Sequence, residues 1–246
     1  MFYRALKVFA IMVAVAGVEF PLAAADAGAL LPEPTGKYPV GRITQHFLDM
    51  SRDDELGTQK DHKREFMAQI WYPARSGSKG KPAAWLLPEW ASFKENNYSG
   101  ELKKSPDVLK MSPEPSEKDV QKYLASIVVH AREEVPVASS PKPFPVILLA
   151  PGSISFPSKY TSLAEDLASH GFIVVGDIPV GNGVMVPFPA GNVTRLYRGR
   201  DVFALWAGDL IYEMDQLEVW NKTKGHLFFG RLDLDHIGAF GHSAGG

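Results

Sequence analysis

The sequence predicts an α/β fold, a mostly parallel sheet flanked by helices, and three observations carry that prediction. Val146 to Ala150 is an unbroken apolar run bounded by prolines, which suits a strand buried on both faces of a parallel sheet. From Pro143 onward strand-like and helix-like patterns alternate, as successive strand-helix-strand units require. The chain then closes on Gly241-His242-Ser243-Ala244-Gly245, preceded by the apolar Ile237, Ala239 and Phe240, which reads as a strand running into a sharp turn.

Length and composition set the frame. A chain of 246 residues, 45% hydrophobic and 22% charged, is one large domain or two small ones with a sizeable core. A formal net charge of −2 gives no reason to expect nucleic acid as a partner. The absence of cysteine excludes disulfides, a thiol nucleophile and a lipid-modified N-terminal cysteine.

The N-terminus has its own logic. Arg4 and Lys7 make a positive start, Val8 to Val18 is apolar but too short to span a bilayer comfortably, and Ala23-Ala24-Ala25 offers a small-residue cleavage site. Residues 1–25 are therefore expected to be a signal peptide, leaving residues 26–246 as the working domain, secreted or periplasmic. The other reading is an uncleaved anchor, against which Glu19 and Pro21 end the apolar run early.

Next come two alternating segments, Val40 to Asp49 and Glu65 to Tyr72, expected to pair as strands, with Pro73 ending the second. His46 and His62 lack clustered partners and read as surface histidines rather than metal ligands. Residues 74–142 look like an insertion rather than sheet: proline-rich, with an apolar piece from Trp85 to Trp90 and one marked helix. Ser116 and Asp119 form its capping box, and Val120, Tyr123, Leu124 and Ile127 its apolar face. Lys103, Lys104, Lys110, Lys118 and Lys122 leave two readings open, contact with an anionic lipid surface and an ordinary solvated face. After the central strand, a helix is expected with Tyr160, Leu163, Ala164, Leu167 and Ala168 on one face and Gly171 past its end. Phe172 to Val175 is the next strand. The loop Gly181 to Val193 has two readings: a place near the pocket mouth, because ligands of such sheets bind beyond the carboxyl ends of strands, or a loop folded onto the core. Arg198 to Asn221 reads as a long helix with Val202, Trp206, Leu210 and Met214 at four-residue steps.

The terminal motif carries the chemistry. A serine on a strand-to-helix turn must take a strained backbone conformation, and glycine two residues before and two after leaves room for it. Such a turn lifts the hydroxyl out of the sheet and aims the following N–H groups at one point. Ser243 is the candidate nucleophile. The bland alternative is a Gly-rich turn with no chemistry. A phosphate-cradling loop is disfavoured, since neither G-x-x-x-x-G-K-[ST] nor G-x-G-x-x-G is present. His242 is read as structural, because adjacent side chains on an extended backbone diverge.

Three stretches carry a closer resemblance: Glu65 to Ala74, Leu163 to Val175, and Gly241-His242-Ser243-Ala244-Gly245-Gly246. Together they resemble the plasma-type platelet-activating-factor acetylhydrolases and their bacterial relatives within the α/β-hydrolase superfamily, with gaps, from about residue 37 onward. The resemblance implies an α/β-hydrolase fold with a partly helical insertion, and Ser243 as nucleophile. It further implies an oxyanion hole from the backbone N–H groups of Ser153 and Ala244, with neither metal nor cofactor. The implied substrate is a small-molecule or phospholipid ester met in part at a lipid surface. Two departures stand out: Pro151-Gly152 where relatives usually show His-Gly, and Asp177-Ile178-Pro179-Val180 where they show an acidic or histidine-containing stretch. The first leaves a backbone donor intact; the second alters the pocket edge and leaves the acyl group open.

In that fold the order is serine, then Asp or Glu, then His. None of the seven histidines follows Ser243, so the fold is expected to be truncated after the nucleophile elbow, with the acid and base beyond Gly246. The leading function is a secreted serine esterase acting on a short acyl ester of a platelet-activating-factor-like phospholipid. A general carboxylesterase or polyester hydrolase on the same scaffold, or a non-catalytic binding protein, are the alternatives. The N-terminal reading is tested by sequencing the exported protein, which is expected to begin near Asp26; a chain still beginning at Met1 would contradict it.

Overall fold

The computed structural model describes residues 31–56, 62–87, 114, 116–196 and 202–246. The expected signal peptide, the tail of the Trp85 to Trp90 piece and Lys103, Lys104 and Lys110 lie outside those residues.

The N-terminal strand pair forms as the alternation predicts. Strands β1 (Val40–Asp53) and β2 (Lys63–Pro73) run antiparallel, with Val40 opposite Pro73 and Phe47 opposite Phe66. β1 continues past its expected end through a bulge between Asp49 and Asp53. Nearly every residue of β2 is buried, because it lies in mid-sheet between β1 and β5 (Ile173–Ile178). β4 (Phe144–Ala150) follows on the far side of β5, and β8 (Leu232–Gly241) beyond it. β5, β4 and β8 are mutually parallel, while β2 meets β5 antiparallel.

The expected insertion is partly sheet. Arg132–Glu133 forms β3, a short edge strand parallel to β1, clamped by an ion pair of 2.6 Å between Arg42 and Glu133. Composition hid it, because two residues carry no periodicity. Helix α1 (Glu117–Ser126) starts with the capping box that the sequence foretold: the Ser116 hydroxyl accepts from the Asp119 N–H, and Asp119 accepts from the Ser116 N–H. Val120 and Leu124 face the core, and Lys118 and Lys122 are solvent-exposed, as a solvated face would have them.

Two helices flank the parallel half. α2 (Thr161–Ser169) follows a short 3-10 turn and ends at Gly171, whose φ of +98° suits glycine alone. Its buried face is rotated from the expected one: Leu163 is exposed, while Glu165 is buried and accepts the N–H groups of His130 and Ala131 at 3.0 and 2.7 Å. α3 (Val202–Lys222) likewise buries Val202, Trp206, Asp209, Glu213 and Leu217, with Leu210 and Met214 only partly covered. The four-residue steps found Val202 and Trp206 of this face and missed the rest, because two of its five inner positions are acids.

Those acids belong to a buried charge network. The Arg64 guanidinium of β2 forks onto both carboxylate oxygens of Asp209, and Arg52 of β1 reaches Asp209 at 2.9 Å and Asp49 at 2.5 Å. Asp177 of β5 and Glu213 of α3 join it without a cation of their own. Both Glu213 oxygens and Asp177 Oδ1 lack a hydrogen-bond partner among the described residues. Burial and the neighbouring acids push both carboxyls well above the usual carboxylate range, which favours their protonated forms.

The stretch Gly181 to Val193 is not a pocket loop. It folds as a hairpin of β6 (Asn182–Phe188) and β7 (Gly191–Leu196), and Val186 and Phe188 are buried in the core. Phe188 meets His46 edge-on at 6.0 Å.

A carboxyl whose pKa is raised by folding contributes stability below its ordinary pKa and loses that contribution as pH rises through the folded value. The contribution of these two carboxyls to stability is therefore expected to fall as pH rises above the ordinary carboxylate range, and Glu213→Gln to flatten that fall. Urea unfolding across that rise in pH checks this; an unchanged slope would contradict a Glu213 carboxyl whose pKa is raised by folding.

Candidate active site

The site forms where β4 and β8 end side by side. Their parallel register sets Ala150 opposite Gly241, and the His242 N–H bonds the Ala150 carbonyl at 3.2 Å. The backbone then turns at once. Ser243 takes φ +54°, in the left-handed region, and opens a 3-10 turn over Ser243–Gly245. A non-glycine residue held there stores strain on the order of 1 to 3 kcal/mol.

Glycines make the turn geometrically possible. A Cβ on Gly241 would lie 1.9 Å from the Gly245 carbonyl oxygen, and one on Gly245 would lie 2.2 Å from the Ala150 carbonyl oxygen. Both obstacles are backbone, which cannot swing aside. From the other strand, Gly152 packs onto the turn so closely that a Cβ there would stand 2.9 Å from His242 Nδ1 and 3.2 Å from Ser243 Cβ.

His242 points away from the serine and toward α2: its Nδ1 lies 2.9 Å from the Tyr160 hydroxyl. The hydroxyl in turn accepts the Gly152 N–H at 3.3 Å. A Tyr160-His242-Gly152 triangle thereby braces the turn, a role for Tyr160 beyond the helix packing read from sequence. Among the described residues no histidine ring is hydrogen-bonded to Ser243. His46 pairs with Glu65, His130 with the Leu31 carbonyl, His170 with Thr35 and His236 with Asp233, while His226 stacks on Trp220.

Ser243 opens onto a cavity of about 500 Å³. Ala150, Pro151, Ala244 and Gly245 form one side; Phe203, Trp206, Ala207 and Leu210 of α3 form the other; Asp177 and Pro179 lie at the end of β5. Phe203 and Trp206 meet edge to face at 5.5 Å. The Trp206 ring N–H is spent on the Val180 carbonyl at 3.0 Å, so the ring offers the cavity an apolar surface.

Of the sequence-derived residues, Ser243 and Ala244 thus share the cavity. Ser153 sits exposed in the turn after β4, next to Ile154 with φ +53°, and is not among the lining residues. The backbone N–H groups of Ser153 and Ala244 make no backbone hydrogen bond among the described residues, which leaves both able to donate. Asp177 and Pro179 line the cavity, where the departure at Asp177-Ile178-Pro179-Val180 was expected to alter the pocket edge. Phe203 and Trp206 were missed as cavity residues, because nothing in the sequence places α3 beside the terminal turn. No group of three or more ligand-type side chains fit to hold a metal occurs among the described residues.

Comparison with known proteins agrees with this architecture. The family model for platelet-activating factor acetylhydrolase, isoform II, matches residues 23–177. Among solved structures the chain is similar to a ferulic acid esterase from Streptomyces cinnamoneus, with 27% identity and a TM-score of 0.65 over 89% of this chain and 56% of that one. The chain therefore spans a little over half the length of that esterase. No match was found among curated proteins. The fold is that of the α/β hydrolases, with the parallel strands on one side and the antiparallel pair on the other.

The glycine contacts give a stability test. Gly245→Ala is expected to cost about 1 to 3 kcal/mol through overpacking against backbone. Gly238→Ala, which meets nothing within 4 Å, is the control and is expected to be close to neutral. Equal thermal midpoints for the two variants would contradict the close approach at the turn.

Proposed function

Because the chain belongs to the platelet-activating factor acetylhydrolase isoform II family, we propose that it forms the nucleophile-bearing part of an exported serine ester hydrolase. The observation that carries this reading is Ser243 at φ +54° on the mouth of an apolar cavity. In the proposed reaction Ser243 Oγ bonds to the ester carbonyl carbon, and the collapse of the tetrahedral intermediate breaks the bond to the leaving alkoxide. Water then hydrolyses the acyl-serine and restores the hydroxyl. The N–H groups of Ser153 and Ala244 are the proposed donors to the oxyanion.

A base must take the serine proton. Among the described residues no histidine ring is hydrogen-bonded to Ser243; in α/β hydrolases the acid and base follow the elbow in chain order. For substrate, the family supports a short acyl ester of a platelet-activating-factor-like phospholipid. A second reading, a carboxylesterase for larger or aromatic acyl groups, is favoured by the Phe203–Trp206 wall and by the similarity to a ferulic acid esterase.

The test uses the complete product of the gene. Hydrolysis of p-nitrophenyl acetate and of an acetylated ether phospholipid is expected to fall by on the order of 10³-fold or more in Ser243→Ala. Retention of wild-type turnover by that variant would rule out Ser243 as the nucleophile. A higher kcat/KM for methyl ferulate than for the phospholipid would select the second substrate reading.

A further inference from the structure

Among the described residues that line the cavity, Asp177 carries the one carboxyl side chain. Apart from the Ser243 hydroxyl, the side chains that line the cavity are otherwise apolar or, like Trp206, already paired. Asp177 is 2% exposed, and its Oδ1 has no hydrogen-bond partner among the described residues. A buried polar atom left unpaired is costly, and one that borders a substrate cavity can be satisfied by what enters it.

The surrounding charges define what that guest can be. Arg64 of β2 and Arg52 of β1 face this region, but Arg64 forks onto Asp209 and Arg52 divides itself between Asp49 and Asp209. From α3, Asp209 and Glu213 add negative or acidic groups behind Asp177. Among the described residues that line the cavity there is no Lys or Arg to pair with a second anion. A carboxylate or phosphate seated here would lose its hydration against a bank of acids. Burial, with Asp209 beside it, raises the affinity of Asp177 for its proton, and in the form so favoured the side chain presents an O–H donor and a carbonyl acceptor together.

We propose that Asp177 is the polar recognition group of this cavity, selecting esters whose seated portion carries a neutral oxygen such as a ketone, ether or hydroxyl, and rejecting an anionic portion. The proposal rests on the reading that Ser243 attacks an ester in the same cavity. It places the phosphate of any phospholipid substrate outside this cavity and leaves a neutral acyl or alkyl-ether portion within it.

The experiment compares p-nitrophenyl hexanoate, its 5-oxo analogue and the p-nitrophenyl monoester of adipic acid, with uncatalysed rates subtracted. The complete gene product is used as wild type, Asp177→Asn and Asp177→Leu. A single neutral hydrogen bond is expected to favour the oxo ester over hexanoate by about tenfold in kcat/KM, with the adipate monoester disfavoured relative to both. Asp177→Asn, whose amide still donates, keeps the oxo preference; Asp177→Leu erases it. The wild-type preference also declines as pH rises and the carboxyl ionises, while that of Asp177→Asn stays flat. This arm holds even if the leucine variant fails to fold. A second arm measures binding of 2-heptanone and 2,6-heptanedione to Ser243→Ala by ligand-observed NMR. Absent hydrolysis with the dione still preferred overturns the esterase reading and upholds this one. Hydrolysis with no oxo preference, or a preference that survives Asp177→Leu, overturns this one alone.

Discussion

The parallel pairing of β4 with β8 is the constraint on which the site depends. It brings Ala150 beside Gly241, so the two chains leave the sheet at the same level and must turn within van der Waals contact of each other. Only residues without a Cβ satisfy that geometry at positions 241, 245 and 152, where an added carbon would strike carbonyl oxygens or the serine itself. The strain at Ser243 is tolerated because the strands on either side are fixed by their ladders, and because Tyr160, at the end of the 3-10 turn before α2, braces the turn through His242. Sequence, local strain and cavity are in this sense one feature.

A second constraint lies on the opposite wall. α3 packs on the sheet through a stripe that alternates apolar groups with acids, and the Arg64–Asp209 fork fixes its register against β2. A buried ion pair is weak evidence for stability, since replacing it by hydrocarbon is often neutral, but it is exacting about geometry. Here it sets the rotation of α3, which turns Phe203, Trp206 and Leu210 toward Ser243. Asp177 and Glu213 sit beside this network with carboxyl oxygens that lack hydrogen-bond partners among the described residues, and burial shifts both toward their protonated forms.

What the sequence disclosed followed from strong local rules. The apolar run of β4, the alternation of β1 and β2, the capping box of α1 and the glycine spacing around Ser243 each depend on neighbours within a few residues. What it concealed was set by distant partners. The acids inside α3 look like a solvent face until Arg52 and Arg64 are seen opposite them. β3 is too short to have a pattern. The hairpin of β6 and β7 read as a loop because its glycines and prolines are turn formers, and Phe188 enters the core through contacts with His46 that no local window contains. The cavity likewise draws on β4, β5, α3 and the terminal turn together, and only the last had a signature.

The central claim is that Ser243 is the activated group on this scaffold, and covalent trapping addresses it most directly. The complete gene product is treated with a fluorophosphonate probe and digested with trypsin, and the adduct is mapped by mass spectrometry on the peptide that begins at Leu232. A stoichiometric adduct on Ser243, absent after denaturation before labelling, is the result predicted. An unlabelled protein, or an adduct on another serine such as Ser153, would contradict the account.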